Sequence, residues 1–168
     1  RRVDCTKYTY LANGWVSTVE NALNHITTYA YTIYGDVASV TDPLGHRVTY
    51  SYDQGQQLTQ VADGLNNLTT YTYNTRGWVT EIRNALGNRT TFTYDTEGNR
   101  LTSKDANNGV STYTYDALNR QTSVTDPLSH TSTTVFDAVG NVVAAVDALG
   151  NRTTYSYDAI DQLETVKN

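Results

Sequence analysis

Three sets of side chains in this 168-residue sequence have the types and spacing for chemistry. Asp53, Asp95, Asp116 and Asp158 recur on a 21-residue period. Recurrent carboxylates can do acid–base work where two of them reach one substrate. His25, His46 and His130 fall in a single slot of the same period, and imidazoles ligate metals and carry protons. The third set is a long row of tyrosines, whose rings can stack on sugars and whose hydroxyls can bond them. Whether any of these is a site depends on the elements that hold it.

The elements follow from the period. Anchoring on the aromatic before one turn signal gives Tyr10, Tyr31, Tyr52, Tyr73, Tyr94, Tyr115, Phe136 and Tyr157, at a constant interval. Two residues earlier stand Tyr8, Tyr29, Tyr50, Tyr71, Phe92, Tyr113, Thr134 and Tyr155, so 15 of these 16 places are aromatic. A fixed period of this length marks a repeat architecture, in which no single unit can bury its apolar face alone. The chain therefore reads as one array over residues 1–168, built from eight 21-residue repeats.

Each repeat carries two turn signals. Four residues after the anchor come Gly14, Gly35, Gly77, Gly98 and Gly140, with Gln56, Asn119 and Asp161 in the other repeats. Eleven after it is always Asp or Asn, thirteen after it mostly Leu, and fourteen after it Gly45, Gly87, Gly150 or a small polar residue. In Asp42-Pro43-Leu44-Gly45 the carboxylate can accept from the backbone two residues on, proline presets φ, and glycine takes a left-handed exit. Asp126-Pro127-Leu128-Ser129 follows the same plan, and Gly150 repeats the exit. The segment Tyr94-Asp95-Thr96-Glu97-Gly98 is the other signal, with glycine where positive φ returns the chain.

Two strands lie between these turns, as in Trp15–Glu20 and His25–Tyr31. Tyr29 and Tyr31 are two apart and share a face, leaving Thr28 and Ala30 on the other. The first strand is harder to phase. Its apolar columns, Val16 and Val19 or Val37 and Val40, are three apart, which implies either a bulge or a strand apolar on both sides. The abundance of Thr, Tyr and Val suits a pleated sheet. The predicted class is all-β, with tandem 21-residue hairpins stacked into a long, coiling antiparallel sheet.

Composition excludes several functions. A net charge of −5 with 12 scattered Lys and Arg lacks the concentrated basic surface that nucleic acid requires. No run of about 18 apolar residues offers a helical membrane span. Cys5 is the sole cysteine, so it has no internal disulfide partner. The sequence contains no Met and no charged-then-apolar leader, and neither end reads as a cap, which predicts a piece of a longer chain.

Weighed on this scaffold, the chemical residues read mainly as structure. Equivalent aspartates in stacked hairpins are two strand spacings apart, about 9.6 Å, and each has a turn to hold: Asp53, Asp95, Asp116 and Asp158 after the anchors, Asp42 and Asp126 at the other end. The histidine slot is otherwise filled by Asp4, Asn67, Asn88, Gly109 and Asn151, a polar turn exit. Trp15 and Trp78 share a slot with Asp36, Gln57, Asn99, Arg120, Asn141 and Gln162, which reads as outward or marginal. No catalytic residue, metal site or cofactor is predicted. The tyrosine columns read as a packed ladder, with glycan contact as the rival.

The tyrosine-aspartate dipeptide with downstream glycine, followed by Asp-Pro-Leu-Gly and a Thr-rich strand ending in Tyr-x-Tyr-Asp, resembles the Rhs/YD-repeat family, and Tyr52-Asp53, Tyr94-Asp95, Tyr115-Asp116 and Tyr157-Asp158 carry the dipeptide in full. Phe136-Asp137 and Tyr73-Asn74 are near variants, while Tyr10-Leu11 and Tyr31-Thr32 lack the acid. The resemblance implies a strand-rich spiral shell of the kind found in bacterial Rhs toxins, toxin-complex cocoons, wall-associated proteins and teneurins. It further implies a secreted or surface wall segment that encloses a toxin domain and meets further repeats or neighbouring subunits. Two other readings stand beside it: the unit of an extracellular fibre or tubular appendage, and an adhesin that binds glycans through its tyrosines.

Overall fold

The computed structural model describes residues 5–168, in which all regular structure is β. Sixteen antiparallel strands lie in chain order. They fall into two compact units, residues 1–88 and 89–168. The first unit holds β1 (Lys7–Tyr10), β2 (Val16–Glu20), β3 (Ile26–Tyr31), β4 (Val37–Thr41), β5 (Arg47–Tyr52), β6 (Leu58–Ala62), β7 (Leu68–Tyr73) and β8 (Val79–Arg83). The second holds β9 (Arg89–Tyr94), β10 (Arg100–Lys104), β11 (Val110–Tyr115), β12 (Gln121–Thr125), β13 (Thr131–Phe136), β14 (Val142–Val146), β15 (Arg152–Tyr157) and β16 (Leu163–Lys167). The strands begin one residue later than the alternation predicts, because the Trp15 and His25 carbonyls accept from Leu11 and Asn21 to close the turns.

The open phase of the first strand is settled by a bulge. Between β3 and β4, Ala30 faces Ser39 but Tyr31 faces Val37, so Ala38 is an extra residue with no partner of its own. The same slip recurs in β2, β6 and β8 of the first unit. In the second unit it recurs in β10, β12, β14 and β16. An extra residue re-phases the alternation. Val37 and Val40 then lie on one face, opposite Tyr31 and Tyr29. The bulged Thr59 and Thr80 turn their hydroxyls onto the carbonyls of Ser51 and Thr72 across the strand pair.

Both turns of a repeat have one geometry. The Asp53 N–H donates to the Gln57 carbonyl and the Gln56 N–H to the Asp53 carbonyl; Asp42, His46 and Gly45 repeat the pattern at the other end. This is a three-residue loop, a type I turn followed by a left-handed residue. All fifteen exits of this kind have positive φ, whether filled by glycine, as at Gly77, Gly98 and Gly140, or by Asn24, Gln56, Ser129 and Asp161.

No second layer covers either face within a unit. Among the described residues only Ser39 (3% exposed) and Ala144 (1%) are buried, and both lie on the small-residue face, not the aromatic one. Small side chains are shielded by their neighbours within a single layer: the Arg47 guanidinium donates to Ser39 Oγ at 3.0 Å. Hydroxyl pairs such as Thr9–Thr18 and Thr93–Thr102, both 2.7 Å, line that face. The rings of β3, β5 and β7 stay half-buried.

The exits give a direct test. Gly45 has φ +87 and open space around a would-be Cβ, so Gly45→Ala should cost about 1 kcal/mol from backbone strain alone. Gln56 carries that strain already at φ 63, and Gln56→Gly should return up to about 1 kcal/mol. Urea denaturation should move the two midpoints in opposite directions.

Candidate functional site

The carboxylates are held by the turns they occupy. Asp42 Oδ1 accepts the N–H groups of Leu44 (2.9 Å) and His46 (2.8 Å), while Oδ2 pairs with His46 Nδ1 at 2.8 Å. Asp126 repeats this with Leu128 and His130. Asp63 and Asp147 do so with the amides of Asn67 and Asn151. At the other end Asp53 accepts from Gly55 and Gln57, Asp95 from Glu97 and Asn99, Asp116 from Leu118 and Arg120, and Asp158 from Ile160 and Gln162. Arg120 Nε closes on Asp116 Oδ2 at 2.7 Å.

These bonds set the electrostatics. The His46 ring holds Asp42 below the ordinary carboxylate range, and the Asn67 and Asn151 amides do the same for Asp63 and Asp147. For Asp116 and Asp126 the backbone N–H groups of Arg120 and His130 act first. Burial pushes Asp95 and Asp137 upward, but the bonds from Asn99 and Asn141 outweigh it and leave both lowered. Low values favour the ionised acceptor, which is what a turn needs; a general acid needs the reverse.

Histidines are placed by the same slot. His46 and His130 sit against their turn aspartates, and the His25 N–H donates to Asn21 Oδ1 at 3.1 Å. Asp4, in that slot of the first repeat, lies outside the described residues. No group of three His, Cys, Asp or Glu among the described residues could hold a metal ion. Pro43 and Pro127 occupy the second turn position, and Pro127 also lies under Gly109, where a Cβ would meet it at 3.1 Å.

The two tyrosine columns differ in chemistry. The anchor hydroxyl reaches back 15 residues to a strand carbonyl: Tyr31 to Val16 (2.9 Å), Tyr52 to Val37 (2.9 Å), Tyr73 to Leu58 (2.7 Å), Tyr115 to Arg100 (3.1 Å) and Tyr157 to Val142 (2.9 Å). Each acceptor is the residue just before the bulged one. Phe136 has no hydroxyl for this bond. In the other column the hydroxyls of Tyr29, Tyr50, Tyr71, Tyr113 and Tyr155 meet no protein partner among the described residues, and Phe92 and Thr134 also stand there. Tyr94 ends β9 as a further anchor; Tyr8 and the first anchor, Tyr10, in β1 are 53% and 62% exposed.

The tryptophan slot is marginal, as the sequence implies, and it also makes contacts that the sequence reading lacked. Trp15 is half-buried on Tyr31, with ring centroids 5.1 Å apart at 48°. A Cβ on Gly35 would meet its Cζ2 at 2.9 Å. Trp78 is half-buried too, with the Arg76 guanidinium 5.3 Å from its ring. The slot joins consecutive repeats: Asn99 Nδ2 donates to Asn119 Oδ1 (2.7 Å), Asn141 Nδ2 to Asp161 Oδ1 (2.9 Å), and Arg120 Nη1 to the Asp137 carbonyl (3.0 Å). A large residue here meets the turn exit of the next repeat, as Trp15 meets Gly35, and that pairing was readable in the sequence.

One groove of the second unit, ≈ 550 Å³, is open and lined by Asp95, Asn99, Tyr113, Tyr115 and Asp116. Both of its aspartates are already engaged by their turns. Within each unit the side chains that could do chemistry hold turns and neighbouring strands in place.

A chain of tandem hairpins in one open layer, each tied by a phenol to the strand before it, defines the class of YD-type repeat arrays. The profile of the teneurin YD-shell matches residues 2–128, and the RHS repeat matches residues 136–168. The chain belongs to the teneurin YD-shell family. Among solved structures it is similar to TcdB2-TccC3 without its hypervariable C-terminal region, at 17% identity and TM-score 0.78, covering 95% of this chain and 10% of that one. TcdB2-TccC3-Cdc42 is similar at 16% identity and TM-score 0.71, with 96% and 12% covered. The Photorhabdus luminescens Tc holotoxin pore is similar at 18% identity and TM-score 0.75, with 91% and 10% covered. The chain thus spans about a tenth of the length of the structures it matches. No curated protein matches.

Two outcomes check the chemistry. Tyr52→Phe should cost about 1 kcal/mol by orphaning the Val37 carbonyl, whereas Tyr50→Phe should be neutral within experimental scatter in the same denaturation assay. The lowered aspartates contribute stability that is fully present above their unfolded value near pH 4 and lost as pH falls through their lower folded values. Thermal melts should therefore be level from pH 7 to about 5 and drop steadily below about 4.

Proposed function

We propose that this chain is a non-catalytic length of wall in a secreted β-shell that encloses a cargo domain, a toxin in the bacterial members the repeats resemble. One observation carries the reading. A protein that binds or transforms a ligand in its own interior needs a buried core or a closed pocket, yet among the described residues only Ser39 and Ala144 are buried. The chain goes almost entirely into one layer that continues by adding similar units. Such a layer separates two compartments, and separation is what a shell requires. Family membership and the likeness to Tc toxin structures support the same reading.

Carbohydrate contact is the second reading, favoured by the hydroxyls of Tyr29, Tyr50 and Tyr71, which the aromatic face leaves open to a ligand. Electron microscopy of the full-length parent tests the first: a closed hollow particle is the expected image, and a continuous filament would replace the shell with a fibre. Titrating glycans against the chain tests the second, since tyrosine emission should respond only if sugars stack on the ladder.

A further inference from the structure

The aromatic face repeats without interruption through the first unit and breaks in the second. In the first unit the slot just before the bulged residue holds Val16, Val37, Leu58 and Val79. Arg100 and Gln121 take that slot in the second unit, opposite Tyr94 and Tyr115, and both are exposed. The following repeat then lacks a ring. Thr134 stands in the column of Tyr113 and Tyr155 and faces Ala145, whereas Tyr29 and Tyr50 face Val40 and Val61. Arg100 is the centre of the break. Its guanidinium carbon lies 4.5 Å from the centre of the Tyr113 ring and 5.8 Å from that of Phe92, and no carboxylate among the described residues pairs with it. Arg120, by contrast, commits its donors to Asp116 and the Asp137 carbonyl. A guanidinium laid over ring faces keeps its fork of N–H groups in its own plane, open to a planar two-oxygen acceptor.

We propose that this break is a binding site for an acidic oligosaccharide, with a uronate carboxylate in the Arg100 fork and an adjoining sugar ring in the gap at Thr134. The inference deepens the carbohydrate reading and rests on it. Charge selects an anion, because an arginine without an acid of its own, set in an apolar stripe, is matched by a carboxylate. Shape selects a sugar. The Thr134 gap lies two strand spacings, about 9.6 Å, from Tyr113 on one side and Tyr155 on the other, which leaves room for a ring between aromatic neighbours. Gln121, on the strand paired with that of Thr134, offers both a donor and an acceptor to sugar hydroxyls. An acidic peptide is the poorer match. Extended peptides bind sheets through main-chain hydrogen bonds at an edge, and β10 to β13 have a strand on either side. The turn acids Asp95 and Asp116 leave the fork free, since they are bonded to Asn99 and Arg120 at the strand ends.

Isothermal titration of trigalacturonate into the full 168-residue chain tests the site, with the methyl ester of the same sugar as the uncharged control. Two variants, Arg100→Val and Thr134→Tyr, restore residues that the array already carries in those columns, so the fold should hold. The acid should bind, and the ester should bind at least about tenfold more weakly. Each variant should weaken the acid by a similar factor while circular dichroism stays unchanged. Absence of binding by the acid overturns the site, as does equal affinity for acid and ester, or either variant binding like the wild type. Tighter binding of a tetraglutamate peptide with the same dependence on Arg100 would assign the site to peptide and overturn the sugar. The broader reading is judged apart: if neutral oligosaccharides perturb tyrosine emission while Arg100→Val changes nothing, the ladder binds glycans and this site falls.

Discussion

The continuity of the aromatic face depends on one extra residue in alternate strands. Without it, apolar side chains three apart would point to opposite faces of a pleated strand, and neither face would be continuous. With it, the valines of β4 both face the tyrosines of β3. The bulge also disrupts the backbone ladder beside it. The carbonyl preceding the bulged residue is the one the next anchor tyrosine reaches, as Tyr31 reaches Val16 and Tyr52 reaches Val37. A phenol at the anchor is thus the complement of a bulge in the strand before it.

That pairing makes stability a property of neighbours. A lone hairpin of this size is marginal in water, and here its anchor hydroxyl would donate to its own first strand while its bulged strand waited for a neighbour to pack on. The turn slot that carries Trp15, Asn99 and Asn141 adds a second tie between consecutive repeats along one edge. In such an array energy is approximately a sum of repeat and interface terms. Its half-buried rings leave each interface a small margin.

Much of this was legible in the sequence, and what was not has a physical cause. The aromatic columns and left-handed exits appear as residue types at fixed offsets, so the all-β hairpin array follows from counting. The bulge does not appear as a type, because Ser17, Ala38, Thr59 and Leu101 fill it indifferently; its position shows only in which residues it brings into phase. The two turn signals look different as Asp-Pro-Leu-Gly and Tyr-Asp-x-x-Gly, although the backbone makes one turn of both. The contact made by the tryptophan slot was missed because its partner in the next repeat falls one position short of the 21-residue period being counted. The most buried residues lie on the Thr face because a single layer shields small side chains better than rings.

The aspartates show how so regular a row of acids serves the turns. What the turn requires is an oxygen that accepts two N–H groups; ionisation strengthens those bonds, but a neutral oxygen also makes them. Asn21 accepts from Leu23 (2.8 Å) and His25 (3.1 Å), Asn84 from Leu86 and Asn88 (3.0 Å each), and Thr32 Oγ1 from Tyr34 and Asp36 (3.2 Å each). A neutral amide or hydroxyl does the work of the carboxylate in the same array. A catalytic acid or base could not be exchanged this way, because its proton is the reagent. The exchange marks the residue as an acceptor, and it lets the chain vary its edge charge, repeat by repeat, while the turn keeps its geometry.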